Sequence, residues 1–474
     1  MRKKSYLMVL LIIAALFSVQ VNDCSAKEKK AKYVFYFIGD GMGVNQVNGT
    51  EMYLAQKEGK IGVKPLNFTQ FPVCSMATTY STYNPVTDSA AAGTALSTGE
   101  KTRNGTIGMD SLRKTPLYSI AVKAKKAGRR VGVTTSVSVD HATPAVFYAH
   151  QPDRDMYYEI ATDLPKAGFD FYAGSGFLQP RNKKDTTAIG IFTLLDKTGY
   201  VVAKGYEDFK NKQAKSAKMV LIQKDGTDPE SIPYAIDRKP GDLTLSQITE
   251  SAITFLTKED KGFFVMIEGG KIDWACHGND AGTAFNEVVD LANAIDKALE
   301  FYKKHPDETL IVLTADHETG GIALGTGTMT LNLKAFASQK VSQEGLTAKI
   351  KELRSATGNK VSWEQIKELL SNEFGFWGKV TLNEKQEKQL KDEYARSFDE
   401  KASVTMTKSL YAEDEPIASL ARSILNEISL VGWTSGNHTA GYAPVYAIGA
   451  GSELFQGKMD NTDIPKRISQ AAGY

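Results

Sequence analysis

The sequence predicts an α/β fold: a central, mostly parallel sheet with helices on both faces and a helical insertion at about residues 326–430. Runs of apolar residues occur at 33–38, 263–267 and 310–314, the last ending on a threonine, without the alternation of half-exposed strands. Such runs are typical of strands that are buried on both faces, as in parallel sheets covered by helices. The stretches between the runs have helical character, which is the order of elements in α/β proteins.

Residues 1–26 have the parts of a secretory signal: a basic start at Arg2, an apolar stretch at 6–17 and small residues ending at Ala26. We expect cleavage after Ala26 and an exported protein, either periplasmic or extracellular. A lipid anchor at Cys24 is a weaker alternative. No later segment approaches the roughly 20 apolar residues of a membrane span, so we expect none in the mature form.

The charge balance is nearly even, with 57 basic and 55 acidic residues in the whole chain. Without residues 1–26 the chain is close to neutral, so it has no field that would attract a polyanion. We therefore expect no nucleic-acid binding module. Two cysteines follow the signal, Cys74 and Cys276, and an exported protein could form one bridge between them. The sequence leaves that pairing open.

Each of the three apolar runs leads to a carboxylate: Asp40, Glu268 and Asp316. Ligands in open α/β sheets bind beyond the carboxyl ends of the strands. Three acids at three such ends would crowd negative charge into one crevice, which is costly unless cations neutralise it. The pattern predicts a metal site, and three unrelated turn residues are the alternative.

Two further pairs offer metal ligands. Asp273 and His277 stand four residues apart, so one helical turn can present both, and carboxylate and imidazole both suit zinc. An ordinary surface hydrogen bond would give the same spacing. Asp316 and His317 are adjacent directly after a strand. The turn at residues 39–43 has glycines but carries Asp40, so a metal suits it better than a dinucleotide.

Residues 86–96 place Asp88 and Ser89 before a run of alanines with high helix propensity. Ser89 is thus predicted at a helix N-terminus, where unpaired amides and the helix dipole stabilise an alkoxide or a phosphate. A simple N-cap is the alternative. The segment at 285–299 is predicted as an amphipathic helix that packs on the sheet.

Residues 326–430 are richer in Lys, Glu and Gln and contain two capping-box patterns, Ser362-x-x-Gln365 and Thr381-x-x-Glu384. We interpret this segment as a helix-rich insertion. It interrupts one domain, residues 27–474, because a strand pattern returns at 445–448.

Taken together, the motifs resemble those of alkaline phosphatases, in the same order and over nearly the whole mature chain. They are Gly39-Asp40-Gly41-Met42-Gly43, Thr87-Asp88-Ser89-Ala90, the stretch from Glu268 to His277, Thr314-Ala315-Asp316-His317 and Asn437-His438-Thr439. The resemblance implies an alkaline-phosphatase-like fold, a metal-dependent phosphomonoesterase, small-molecule phosphate monoesters as substrates, and a homodimer as in many family members.

The resemblance also implies two Zn²⁺ and one Mg²⁺. The implied ligands are Asp273, His277 and His438 for one zinc, Asp40, Asp316, His317 and Ser89 for the second, and Asp40, Thr143 and Glu268 for the magnesium, with His141 beside that third site. Ser89 and Arg154 would be catalytic, with Arg154, Asp88 and Trp274 binding the substrate. A phosphoserine would form at Ser89 and then be hydrolysed.

Two residues depart from the best-known bacterial pattern: Trp274 stands where a lysine can occur, and His141 where an aspartate can occur. The loss of a cation at Trp274 should weaken phosphate binding. A sulfatase is excluded because neither Cys74 nor Cys276 lies in a C/S-x-P/A-x-R motif. A phosphodiesterase of the same superfamily, and a phosphate- or zinc-binding protein without turnover, remain as alternatives.

Overall fold

The computed structural model describes residues 30–398 and 404–474, so the predicted signal at 1–26 lies outside the described residues. The strands, in chain order, are β1 (Tyr33–Gly39), β2 (Val73–Thr78), β3 (Arg130–Thr135), β4 (Phe171–Ala173), β5 (Tyr200–Lys204), β6 (Lys218–Ile222), β7 (Phe263–Gly269), β8 (Thr309–Ala315), β9 (Glu318–Thr319), β10 (Ala323–Leu324), β11 (Thr407–Lys408), β12 (Glu413–Asp414), β13 (Val431–Gly432), β14 (His438–Thr439), β15 (Ala443–Gly449) and β16 (Met459–Asp460).

The α-helices in the described part of the chain cover Val44–Lys57, Ser89–Thr98, Ile120–Lys126, Ala142–Ala145, Tyr157–Ala167, Ile191–Lys197, Tyr206–Lys212, Leu245–Leu256, Lys271–His277, Ala281–Tyr302, Gln343–Thr357, Trp363–Phe374, Glu384–Phe398, Pro416–Ser429 and Asp463–Ala472. Short 3-10 helices cover Phe68–Gln70, Gln213–Lys215, Leu333–Ser338 and Ser452–Phe455. Within these described ranges, none of the helices combines the length and the apolar composition needed to cross a bilayer.

Ten strands form the central sheet in the order β16-β2-β15-β8-β1-β7-β3-β4-β6-β5. All its neighbours are parallel except the two pairs made by β15, which lies antiparallel between β2 and β8. The strand predicted at 445–448 therefore returns to the interior of the sheet. β1 lies between β7 and β8, in a register that aligns Gly39 with Gly269 and Ala315. The three strands with terminal carboxylates are thus neighbours.

The sheet is covered on both faces, as the uninterrupted apolar runs predicted. Successive side chains of a strand point to opposite faces, and in β1 the residues Tyr36 and Ile38 join one buried cluster while Phe35 and Phe37 join another. The helix Ala281–Tyr302, which contains the predicted amphipathic segment, packs in the second cluster. The predicted fold class is therefore confirmed.

Between β10 and β13 the chain is mostly helical and builds a third apolar cluster. β10 and β13 pair with each other, with Leu324 opposite Val431, so the helix-rich segment begins and ends at neighbouring positions. The capping box at Ser362 and Gln365 is present. The one expected at Thr381 is wrong: Asn383 and Gln386 form it two residues later, because an asparagine side chain accepts the same amide hydrogen bond.

Candidate active site

The first group of potential metal ligands is Asp273, His277 and His438. Asp273 and His277 share the helix Lys271–His277, and Nε2 of His277 lies 3.3 Å from Oδ2 of Asp273. His277 Nδ1 donates to the carbonyl of Gly436 at 2.6 Å, and His438 Nδ1 donates to that of Thr87 at 2.8 Å. Each Nδ1 must carry the proton, because a carbonyl can only accept.

That tautomer leaves the two Nε2 lone pairs facing each other at 3.1 Å. Two lone pairs at this distance repel unless a proton or a cation lies between them. Second hydrogen bonds of this type are what orient histidines that ligate metals. Asp273 adds a carboxylate, and burial alone would raise its pKa, but His277 holds that pKa well below its ordinary value. The group is therefore suited to a divalent cation.

The second group is Asp40, Asp316 and His317 at the ends of β1 and β8. Nε2 of His317 lies 3.4 Å from Oδ1 of Asp40 and 3.2 Å from Oδ2 of Asp316. The backbone N–H groups of Gly41 and His317 both donate to Asp316 Oδ1, which fixes that carboxylate. Gly41 has a φ of +68°, and a Cβ there would lie 2.8 Å from Asp273 Oδ1. Only glycine fits this turn.

The third group is Asp40, Glu268 and His141. β7 carries Glu268 one residue before its end, and Thr135 at the end of neighbouring β3 donates a hydrogen bond to it. Thr143 is buried beside Glu268 on the short helix Ala142–Ala145. A ring nitrogen of His141 lies within 4.8 Å of ligand oxygens of Asp40 and Glu268, which is close enough for His141 to share a cation with them.

Four buried carboxylates meet in this crevice: Asp40, Glu268, Asp273 and Asp316, each with no exposed surface. Burial raises the pKa of Asp40 well above its ordinary value and that of Glu268 to about 7. Both oxygens of Asp40, and one oxygen of each of the other three, have no hydrogen-bond partner among the described residues. Buried charges in proteins are normally paired or coordinate metals. The oxygens left unpaired here fit cations bound between the three groups.

Ser89 lies beside the second group, at the first position of the helix Ser89–Thr98. Its hydroxyl oxygen is 3.2 Å from Nε2 of His317. Asp88 precedes it as the N-cap and accepts a hydrogen bond from the amide of Ala91 at 3.0 Å. The cap is thus Asp88 and not Ser89, and the helix N-terminus directs its positive end towards an anion at Ser89.

Arg154 faces Ser89's neighbour: its Nη1 donates to Oδ2 of Asp88 at 3.2 Å, and its Nη2 lies 3.4 Å from Nε2 of His141. The side chains of Arg154 and Asp88 retain 18% and 19% exposure, so the guanidinium reaches the mouth of the crevice. Asp88 also accepts from the amide of Gly105 at 2.9 Å. The arginine is therefore held in place by an acid that is itself fixed by the backbone.

Trp274, which is expected to bind the substrate and stands where a lysine can occur, is nearly buried. The ammonium of Lys271 lies 4.6 Å from the centre of its ring, and Tyr411 stacks on it with ring centres 4.4 Å apart. The Lys271 ammonium donates to Ser231 at 2.9 Å. A cation thus lies next to Trp274, although the motif itself has none at that position.

Cys74 and Cys276 are both free thiols, which settles the pairing that the sequence left open.

A comparison of the chain with models of known protein families finds one match. Residues 31–174 and 196–474 match the family model described as alkaline phosphatase. The chain belongs to the alkaline phosphatase family. It is 34% identical to alkaline phosphatase 3 of Bacillus subtilis (strain 168), over 97% of this chain and 94% of that protein. It is 33% identical to alkaline phosphatase 4 of the same organism, over 94% and 90%.

Solved alkaline phosphatases share the fold. The cold-active enzyme from the psychrophile Shewanella sp. superimposes with a TM-score of 0.77 at 27% identity, covering 93% of this chain and 99% of that one. The enzyme from the Antarctic bacterium TAB5 gives 0.65 at 27% identity, over 94% and 99%. The family membership makes this chain an enzyme, a phosphoric monoester hydrolase.

The crevice brings together every site residue that the resemblance implies: Asp40, Asp88, Ser89, His141, Thr143, Arg154, Glu268, Asp273, Trp274, His277, Asp316, His317 and His438. Sequence reasoning missed Thr135, Thr319 and Tyr411. Thr319 donates to Asp273 and lies 3.2 Å from Nδ1 of His317. Thr135 and Thr319 each stand next to a strand end, which is a usable signal. Tyr411 carries no such signal.

Proposed function

We propose that this enzyme hydrolyses phosphate monoesters through a phosphoserine at Ser89, with two zinc ions and one magnesium ion. The observation that carries the proposal is the position of the Ser89 hydroxyl, 3.2 Å from His317 and at a helix N-terminus beside Arg154. A nucleophile, an anion-binding helix end and a guanidinium converge on one point, as phosphoryl transfer requires.

Support for the metals comes from the donor sets. Asp273 with two histidines, and Asp40 with Asp316 and His317, offer the nitrogen and oxygen ligands that zinc takes in catalytic sites. The third group offers mainly oxygen, from Asp40, Glu268 and the Thr143 hydroxyl, which suits a hard cation. His141 makes this third site more tolerant of zinc. A His-to-Asp variant of the TAB5 enzyme, at 25% identity to this chain, is described with Mg bound in its M3 site.

The Ser89 oxygen attacks phosphorus while the bond from phosphorus to the alcohol oxygen breaks in line. The alcohol leaves, and the phosphoryl group stays on Ser89. Water then attacks the same phosphorus from the opposite side, the bond from phosphorus to Ser89 breaks, and phosphate is released. Two displacements give net retention at phosphorus. The bound cations, when present, would lower the pKa of the Ser89 hydroxyl and offset charge on the oxygens.

Arg154 binds two non-bridging oxygens of the phosphate with its planar fork. Asp88 orients the fork through the 3.2 Å hydrogen bond to Nη1. A monoester carries a dianionic phosphate, whereas a diester carries a single charge, so Arg154 favours the monoester. Most of the rate enhancement then comes from positioning and from fixed charges.

We further propose that the enzyme is exported and acts as a homodimer. Export is supported by the signal-like sequence of residues 1–26. Cleavage after Ala26 would release a chain that begins at Lys27. Mass spectrometry of the mature protein's N-terminus tests that cleavage, and a retained Met1 would contradict it. Sedimentation of the mature protein tests the dimer.

The activity is tested with p-nitrophenyl phosphate and bis(p-nitrophenyl) phosphate across a range of pH. We expect the monoester to be the better substrate, with hydrolysis lost after chelation and restored by zinc and magnesium together. Bound metal is measured in parallel by elemental mass spectrometry. Hydrolysis that survives complete metal removal would contradict the metal-dependent mechanism. A preference for the diester would support a phosphodiesterase instead.

A further inference from the structure

A hairpin from the helix-rich segment reaches the active site. β11 and β12 pair with each other, and the amide of Ser409 donates to the carbonyl of Ala412 at 2.9 Å. This closes a tight turn whose two central residues are Leu410 and Tyr411. The side chain of Leu410 is exposed, whereas that of Tyr411 packs against the second apolar cluster, which includes Trp274. The turn thus presents one side chain to solvent and one to the crevice.

The base of the hairpin is anchored by the buried side chain of Asp414. Asp414 accepts hydrogen bonds from Nε2 of Gln343 at 2.5 Å and from the hydroxyl of Thr347 at 2.9 Å. Both partners lie on the helix Gln343–Thr357. The amide of Gln343 in turn donates to Asp280, the N-cap of the helix Ala281–Tyr302. The position of Tyr411 is therefore fixed from the core of the protein.

The ring of Tyr411 contacts residues of two ligand groups. It stacks on Trp274 with ring centres 4.4 Å apart and planes 12° apart. Its centre is 5.4 Å from the ring of His277 and 6.1 Å from that of His141. His277 belongs to the first group and His141 to the third. Tyr411 therefore covers the side of the crevice that joins them.

The phenol oxygen of Tyr411 is buried and has no hydrogen-bond partner anywhere in residues 30–398 and 404–474. The same holds for Nε1 of Trp274, the residue on which it stacks. Buried donors in folded proteins are nearly always paired, so an unpaired one at an active site points to a ligand. Burial raises the pKa of the Tyr411 phenol and the nearby guanidinium of Arg154 partly offsets that rise, so the two donors face the same region.

We propose that Tyr411 is a substrate-binding residue whose hydroxyl donates a hydrogen bond to a non-bridging oxygen of the phosphate bound by Arg154. The proposal rests on the proposed function, because it assumes that Arg154 binds the phosphate. It assigns a role to the segment between β10 and β13: this segment supplies a wall of the active site. It also provides a donor where the motif has Trp274 in place of a lysine.

The test is the variant Tyr411→Phe, which keeps the ring and its stacking on Trp274 and removes only the hydroxyl. We measure the inhibition constant of inorganic phosphate, with KM and kcat for p-nitrophenyl phosphate. A hydrogen bond to a charged acceptor is strong enough that we expect the phosphate inhibition constant to rise about tenfold or more. KM should rise with it, because the contact exists in the ground state. The matched control is Leu410→Ala, which changes the exposed neighbour on the same turn and should behave as wild type.

A wild-type inhibition constant in Tyr411→Phe, at an unchanged unfolding temperature, would overturn the proposal. So would an effect of the same size in Leu410→Ala, because that would indicate a disturbed hairpin rather than a lost hydrogen bond. Should Tyr411→Phe unfold at a lower temperature than wild type, the inhibition constant is measured at a temperature at which both proteins are fully folded, and the same criteria apply. Failure of the proposed function is seen separately, as undiminished turnover in Ser89→Ala, whereas the effect of Tyr411 is read from phosphate binding in a chain that retains Ser89.

Discussion

Replacing Arg154 with alanine removes both donors of the guanidinium from the mouth of the crevice. Nη1 donates to Asp88, the residue before Ser89, at 3.2 Å and Nη2 lies 3.4 Å from His141, so the fork lies between the start of the helix and the third ligand group. A hydrogen bond to a charged group contributes about 1.5–3 kcal/mol. Two such bonds to a phosphate contribute about 3–6 kcal/mol, so kcat/KM for a monoester should fall by about 10² to 10⁴.

The conservative variant Arg154→Lys keeps the charge and loses the fork, so we expect a fall of about 10 to 100. Neither variant should unfold the site, because Asp88 still accepts hydrogen bonds from the amides of Ala91 and Gly105. The assay compares kcat/KM for a monoester and a diester of p-nitrophenol. The exposed Arg181→Ala is the control for the loss of a surface charge.

The loss should be larger for the monoester, whose phosphate carries two charges. A fall of less than about threefold in Arg154→Ala would refute the phosphate-binding role, since even one weak charged hydrogen bond gives more than that. An equal loss for monoester and diester would refute the argument that Arg154 selects the dianion.

Three further changes test other parts of the site and fold. Asp273→Asn removes the carboxylate of the first ligand group. We expect metal affinity to fall by more than the roughly 100-fold that follows from changing a residue that only hydrogen-bonds to a ligand, as measured by elemental analysis. Unchanged metal content would contradict the first ligand group. The second change concerns Glu268, whose pKa in the metal-free protein is about 7, against 4.5 in the unfolded chain. The unfolded chain therefore loses this proton at lower pH than the folded protein does. As a result, the free energy of unfolding falls as pH rises between those two values. Glu268→Gln should remove that fall, roughly 3 kcal/mol in denaturant titrations, and parallel pH curves for variant and wild type would exclude it. Arg238→Ala removes two hydrogen bonds to Asp290, which measure 2.5 and 2.6 Å. The free energy of unfolding should fall by about 3–5 kcal/mol because Asp290 loses its partner, while the inhibition constant of phosphate stays unchanged. A loss under about 1 kcal/mol would show that Asp290 is not left unpaired.

The three candidate metal ligands at strand ends could be predicted to converge because their positions follow from the sheet. Asp40, Glu268 and Asp316 each stand at the end of an apolar run, and parallel strands bring such ends together. On the sequence alone Asp88 or Ser89 could cap the helix, and the structure assigns the cap to Asp88. Local patterns thus carry both the fold and the residues at its strand and helix ends.

Other features depend on long-range packing and have no local signal. Tyr411 is brought to Trp274 by a hairpin that is anchored through Asp414 to a distant helix, and no spacing in the sequence indicates it. The capping box expected at Thr381 was wrong for a simpler reason. Asn383 offers an equivalent side-chain acceptor two residues later, and the helix begins there.

The central claim is that Ser89 carries the phosphoryl group during turnover. The direct measurement is to quench the enzyme with acid during hydrolysis of a phosphate monoester and to analyse its peptides by mass spectrometry. We predict one phosphorylated residue, Ser89, in the wild type and no phosphorylated peptide in Ser89→Ala. The activity of Ser89→Ala should be almost lost, while its zinc content stays near normal. Full activity in Ser89→Ala, or a phosphoryl group on another residue during wild-type turnover, would contradict the claim.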